Sequence, residues 1–252
     1  MLLASAIRRA SLAGLLSLAA SVFAQPIPPS TAIPVRFPHT VMAGRSRPGD
    51  AVAAMTTQAI DLPGGLVLPA GSLLTGHVVA STAFAFNSAP YAAQQPSVLS
   101  IHFDSLEAAG RELPVRLSLR AVAGPVSSEN AATPHGLDEI DWSPTQTLIG
   151  GDTTSNLQGT VLSPDGSMVG YRRKDGLFAR LIAASAGAVP CDASATEQSV
   201  GDFSPDACGV YGVGGVSLAA GGSQGEGTFV LQSRLRSVAL PAGSTALLEE
   251  IP

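Results

Sequence analysis

The sequence predicts an all-β protein: a single β-barrel or β-sandwich with long loops and at most one short helix. Three observations carry that prediction. Val98 to Leu106 and Leu113 to Ala123 alternate apolar and polar residues with the period of two that marks a half-buried strand. Most other apolar runs are short and bounded by Gly and Pro turns. The pentapeptide Leu-Pro-Ala-Gly-Ser occurs twice, at Leu68 to Ser72 and Leu240 to Ser244, each time between β-type runs. A strand, turn, strand corner is therefore expected early and again near the last residue, with Pro69, Gly71, Pro241 and Gly243 as its structural turn residues. Proline presets φ, glycine supplies φ > 0, and serine caps the turn.

In chain order, the first segment concerns destination. Arg8 and Arg9 precede an apolar stretch from Ala10 to Val22, and Val22-Phe23-Ala24 has a small-residue cleavage pattern. The stretch is shorter than the ~20 apolar residues of a spanning helix. Residues 1–24 are thus expected to be a cleaved signal peptide, leaving no transmembrane segment, and the protein is expected to be periplasmic or extracellular. Arg8-Arg9 also suits twin-arginine export, but the small Ser11 favours the ordinary route. Residues 25–38 carry Pro26, Pro28, Pro29, Pro34 and Pro38 and are expected to form an extended arm. Folding proper is expected from His39.

Within a β-rich domain over 39–252, strands are expected at Asp50 to Ala59 and on both sides of the first pentapeptide, at Leu66 to Leu68 and Leu73 to Ser81. Leu113, Val115, Leu117, Leu119 and Ala121 should face the core, with Arg116, Ser118 and Arg120 opposite. Residues 124–157 hold three prolines, the acidic Asp138, Glu139 and Asp141, and the sole tryptophan, Trp142, and are expected to be an irregular excursion anchored by that tryptophan. Further strands are expected at Gly159 to Leu162 and Met168 to Tyr171, around the turn Ser163 to Gly166, before a basic turn Arg172-Arg173-Lys174. Leu177 to Ala186 has helical spacing and is the one helix candidate. Gly209 to Ala219, Gly227 to Gln232, Val238 to Leu240 and Thr245 to Ile251 complete the strands, the last closing the barrel or sandwich.

Cys191 and Cys208 are the only cysteines. An even count in an exported chain, with no C-x-x-C and no histidine close by, reads as one disulfide pinning a loop over 191–208. The chain has 14 basic and 19 acidic residues; losing Arg8 and Arg9 takes the net charge from −5 to −7. Nucleic acid is a poor partner for such a chain, and none is expected.

Candidate chemistry is sparse. Gly221-Gly222-Ser223-Gln224-Gly225 fits the G-x-S-x-G pattern, but no helix follows to build an oxyanion hole. His102 and Asp104 share a strand face, the arrangement of a base and its orienting acid or of a ligand pair. His39, His77 and His135 fall in no zinc spacing, and Asp138, Glu139, Asp141 and Asp152 lack the alternation of a calcium loop. No metal, cofactor or catalytic residue is expected. The primary expectation is an exported envelope structural or interaction module with an envelope protein partner, not an enzyme. The alternative is a secreted hydrolase using Ser223 or His102.

Arg47-Pro48-Gly49-Asp50-Ala51-Val52, followed by Leu66-Val67-Leu68-Pro69-Ala70-Gly71-Ser72-Leu73-Leu74-Thr75-Gly76-His77-Val78, resembles the strand corner of the TrbI/VirB10-like β-barrel family. The resemblance implies a periplasmic barrel within an envelope-spanning assembly. The chain departs from that family in lacking an uncleaved inner-membrane helix and a long antenna hairpin.

Overall fold

The computed structural model describes residues 27–62, 65–108, 110–134, 145–155, 159–187, 189–219 and 227–252. The expected signal peptide, Ser223, Trp142, Asp138, Glu139 and Asp141 lie outside them.

The first strands are β1 (Ala32–Arg36), β2 (Val41–Met42), β3 (Ala51–Thr56), β4 (Ile60–Asp61), β5 (Val67–Leu68) and β6 (Leu73–Thr82). Next come β7 (Ser97–Ala108), β8 (Arg111–Pro114), β9 (Leu117–Ala123) and the helix α1 (Pro125–Ala132). A run of shorter strands follows: β10 (Thr145–Thr147), β11 (Thr153–Ser155), β12 (Thr160–Leu162), β13 (Met168–Arg173), β14 (Gly176–Arg180), β15 (Ala184–Ala186), β16 (Val189–Cys191) and β17 (Glu197–Ser199). The chain finishes with β18 (Gly209–Tyr211), β19 (Ser217–Leu218), β20 (Thr228–Ser233), β21 (Ala239–Leu240) and β22 (Thr245–Glu250).

The fold is all-β, built on a nearly closed, barrel-like sheet in the order β18-β9-β22-β1-β3-β6-β7-β20-β19, with β8 paired to β7. All these pairings are antiparallel except β18 with β9. The two ends of the order curl together, β20 approaching β9 and β18 approaching β19. The alternation read in the sequence sends Leu99, Ile101 and Phe103 of β7 inward, against Phe37 and Phe229. Phe103 lies 6.3 Å from Phe37 and 6.2 Å from Phe229 between ring centroids, spacings typical of tilted aromatic pairs. Gly76 of β6 is required by this packing: a Cβ there would sit 2.2 Å from the His102 carbonyl oxygen.

Both pentapeptides form the same corner. Gly71 and Gly243 have φ of +82° and +88°, and Ser72 and Ser244 donate their N–H to the carbonyls of Pro69 and Pro241 at 3.3 and 3.0 Å. Each turn clamps the end of a neighbouring strand. Gly71 donates to Thr56 O and accepts no return itself; Thr56 N–H instead reaches Ser72 O. In the second copy Gly243 donates to Phe37 O, and Phe37 N–H reaches Ser244 O. Four residues beyond each clamped residue, Val41 pairs with Leu240 and Ile60 pairs with Leu68. Because β1 and β3 are themselves an antiparallel pair, with Val35 opposite Thr56, the two copies are related by a local two-fold. They open in opposite directions from one cross-strand row, Leu73–Met55–Arg36–Thr245.

A second sheet, β10-β11-β12-β13-β14-β17, is antiparallel throughout and covers the outside of the barrel. Its Val161, Leu177 and Ala179 form a second core with Ala32 of β1, Ala121 and Ala123 of β9, and Leu247 of β22.

Four sequence expectations change. The segment 25–38 is no free arm, because β1 lies within it, between β22 and β3, with Ile33 and Val35 fully buried. Pro34 precedes the first β1–β3 pair, so its missing donor leaves that ladder intact. Leu177 to Ala186 contains strand β14 in place of a helix; β14 is buried on both faces, and the resulting continuous apolar run imitates helical spacing. The one α-helix among the described residues is α1, inside the expected irregular excursion 124–157, which also holds β10 and β11. Its sequence, PVSSENAA, has almost no apolar face; Pro125 opens it and Ser128 anchors it to Thr245 through a 2.8 Å hydroxyl pair. Finally, β22 sits in the wall beside β1 rather than at the closing seam.

Candidate functional site

The sequence pair His102 and Asp104 does share the outer face of β7. Strand pairing adds His77, directly opposite His102 on β6. His77 Nδ1 donates to Asp104 Oδ2 at 2.9 Å, His102 Nε2 is 3.7 Å from Asp104 Oδ1, and His102 Nδ1 meets Thr228 Oγ1 at 3.2 Å. A hydroxyl, an imidazole and a carboxylate are thus in series. The face is open, however: Asp104 is half-exposed and none of these residues lines any of five cavities among the described residues. The neighbouring backbone belongs to the β6–β7 and β7–β20 ladders, the former with register shifts at Thr75/Gly76 and Val78/Ala80. Among the described residues, no group of three or more His, Cys, Asp or Glu is placed to hold a metal ion. The arrangement orders a polar surface.

A second concentration of polar groups lies between barrel and outer sheet. Arg120, read from sequence as part of an exposed face, is fully buried because the outer sheet and its loops cover β9. Its Nε donates to Ala207 O at 3.1 Å and Nη2 to Pro205 O at 3.0 Å; further bonds reach Ile182 O and Asp192 O. Glu249 Oε2 stands 3.6 Å from Nη1. Burial pulls the Arg120 guanidinium below its ordinary pKa, and burial also pushes Glu249 up despite the adjacent arginine. A cavity of about 420 Å³ beside them is lined by Ser118, Leu119, Pro190, Asp192, Ile251 and Pro252 among others. With its donors already bonded to loop carbonyls, Arg120 is a clamp rather than a ligand site. The disulfide Cys191–Cys208, with Cα atoms 6.0 Å apart, ties the β15–β16 hairpin to β18 at the same place.

The two arginines of the exposed basic turn have partners. Arg173 reaches Glu197 and Asp61 and stacks 4.6 Å from the Phe178 ring, while Arg172 bonds Gln146. Asp152, read as part of a solvated acidic patch, is buried, and its backbone N–H donates to Ser204 Oγ at 3.0 Å.

The feature that sequence reading missed is the barrel end where β6 passes into β7. Residues 83–96 cross that end as a loop braced by buried Gln94, whose Nε2 donates to Asn87 O at 2.8 Å and Ala89 O at 2.6 Å. The loop is stapled to its neighbours: Arg234 Nε donates to Gln94 O at 3.3 Å, and Ser237 Oγ accepts the Phe84 N–H at 3.0 Å. Gly44, at φ +83°, passes so close that a Cβ would lie 2.5 Å from Ala83 Cβ. On this braced rim Phe86 is 82%, Tyr91 60% and Leu235 59% exposed. Arg45, Arg47, Arg234 and Arg236 stand on the same three loops. Among the described residues no carboxylate forms an ion pair with any of the four. The signal was present in the Arg-Ser-Arg and Arg-Leu-Arg triplets and in the aromatic loop, but it emerges only when the fold gathers three segments far apart in sequence.

No family model matches the chain, and neither a curated protein nor a solved structure does. The site must be interpreted from its own chemistry. No described helix is long and apolar enough to cross a membrane.

Proposed function

We propose that this protein is an exported β-barrel module that attaches at the cell envelope through the rim carrying Phe86, Tyr91 and Leu235, and that it performs no catalysis. One observation carries the reading: a loop held by a buried glutamine presents large apolar side chains to solvent beside arginines that form no ion pair among the described residues. Folding alone gives no reason to order exposed apolar groups, whereas contact rewards it, since burying a Phe or Leu side chain stabilises by about 1.5–3 kcal/mol. The leader-like N-terminus supports export, and the disulfide suits an oxidising compartment. The resemblance of 47–52 and 66–78 to the TrbI/VirB10-like strand corner is the sequence ground for an assembly role. Strand addition through the Pro-rich segment is not part of this proposal, because β1 is already paired on both sides.

Fractionation of expressing cells tests the reading. The wild-type protein is expected in the washed envelope fraction, and the Phe86→Ser/Leu235→Ser variant in the soluble periplasmic fraction. Wild-type protein in the cytosol, or identical distribution of both forms, would overturn it.

A further inference from the structure

We infer that the rim's partner is an anionic lipid surface; the inference rests on the rim being the contact face and names what it contacts. The charge argument comes first. The whole chain is acidic, at −5, yet the rim loops concentrate Arg45 and Arg47, together with Arg234 and Arg236, which also donate to the Gln94 and Gly214 carbonyls, against the single carboxylate Asp50. That carboxylate is already engaged, Oδ2 accepting the Arg47 backbone N–H at 2.7 Å. A local positive field on an acidic protein selects an anionic partner and orients the molecule toward it.

Shape then separates a lipid surface from an acidic polypeptide. A peptide or protein anchor fits a groove, but five cavities among the described residues are lined by other residues, and Phe86, Tyr91 and Leu235 are exposed on loops. Protruding aromatic and leucine side chains with arginines at the same level match the boundary between headgroups and acyl chains, where apolar tips enter and guanidinium groups remain at the phosphates. The Gln94 brace holds the tips in place before contact, which lowers the ordering cost of docking. The opposite barrel end is about 33 Å away along ten-residue β6, so only one end can lie on a planar surface at a time.

The test is co-flotation of the purified protein with vesicles of phosphatidylcholine alone or with three-tenths phosphatidylglycerol. Recovery is expected with the anionic vesicles only and is expected to fall steeply as salt rises. Arg45→Glu/Arg47→Glu should weaken partition by roughly fivefold or more per position. Phe86→Ser/Leu235→Ser should weaken it about tenfold or more with unchanged circular dichroism and melting temperature. Equal binding to neutral vesicles would overturn the inference. Absence of vesicle binding, with the Phe86→Ser/Leu235→Ser variant still released from the envelope in cells, would overturn the lipid inference and leave a protein partner on the same rim. Absence of both effects would overturn the contact face as well.

Discussion

Replacing Gly71 or Gly243 by alanine probes the repeated corner directly. Both glycines occupy φ near +85°, at +82° and +88°, where an L-residue costs about 1–2 kcal/mol. Alanine recovers about 0.4–1 kcal/mol by restricting the unfolded chain, so each substitution should cost about 1 kcal/mol net. Space does not distinguish the sites: a Cβ on Gly71 meets nothing within 4 Å, and one on Gly243 makes an ordinary 3.4 Å contact with Pro125. The two variants should therefore lose equal stability, and because the corners stand three strands apart and clamp different strands the double variant should lose about twice as much. Urea unfolding with unchanged m-values is the assay. Gly76→Ala is the contrast, since its Cβ would strike the His102 carbonyl and Phe103 Cα, and its loss should exceed either turn variant. A neutral or stabilising result at either turn, or losses differing by more than about 1 kcal/mol, would refute the equivalence of the corners.

The serines of the same corners should behave differently. Ser72 Oγ donates to Pro69 O at 2.8 Å, so Ser72→Ala should cost about 1 kcal/mol, whereas Ser244 Oγ is buried without a partner and Ser244→Ala should be neutral or stabilising in the same urea assay. Arg120→Met should destabilise by about 3 kcal/mol or more, since four carbonyls and Glu249 lose their partner, and adding Glu249→Gln should restore part of that loss in thermal melts. Breaking the disulfide with Cys191→Ser/Cys208→Ser should cost about 3 kcal/mol, read as a lower urea midpoint that reductant no longer shifts. Burial raises Asp152 to about 6 and Glu250 to about 7, the latter although it accepts the Arg116 N–H. Raised carboxyl groups bind more protons folded than unfolded, so stability should fall as pH rises from about 4 to 7, by on the order of 2 kcal/mol once the two shifts are discounted for solvent screening. Glu250→Gln should flatten that slope in unfolding curves taken across the range.

The barrel was legible where burial is one-sided. In β7 the inner Leu99, Ile101 and Phe103 alternate with outer residues, and the twin pentapeptide announced both corners because glycine at φ > 0 is a local requirement. Legibility failed where a second layer covers the wall. Arg120 and β14 looked like an exposed residue and a helix because the sheet that buries them is distant in sequence. The helix α1 was silent because its burial rests on Ser128 and Ala131, small residues that carry no hydrophobic period. Histidine pairing across β6 and β7 depends on register, and the rim depends on three loops meeting, so neither constellation is written in any one segment.

Site-specific photo-crosslinking in intact cells tests the contact face most directly. A photoreactive residue at position 86 should form adducts with envelope lipid, whereas the same residue at exposed position 70, on the corner at the far barrel end, should form none. Adducts from position 70 alone, or equally from both, would contradict the assignment of the rim as the surface that meets the envelope.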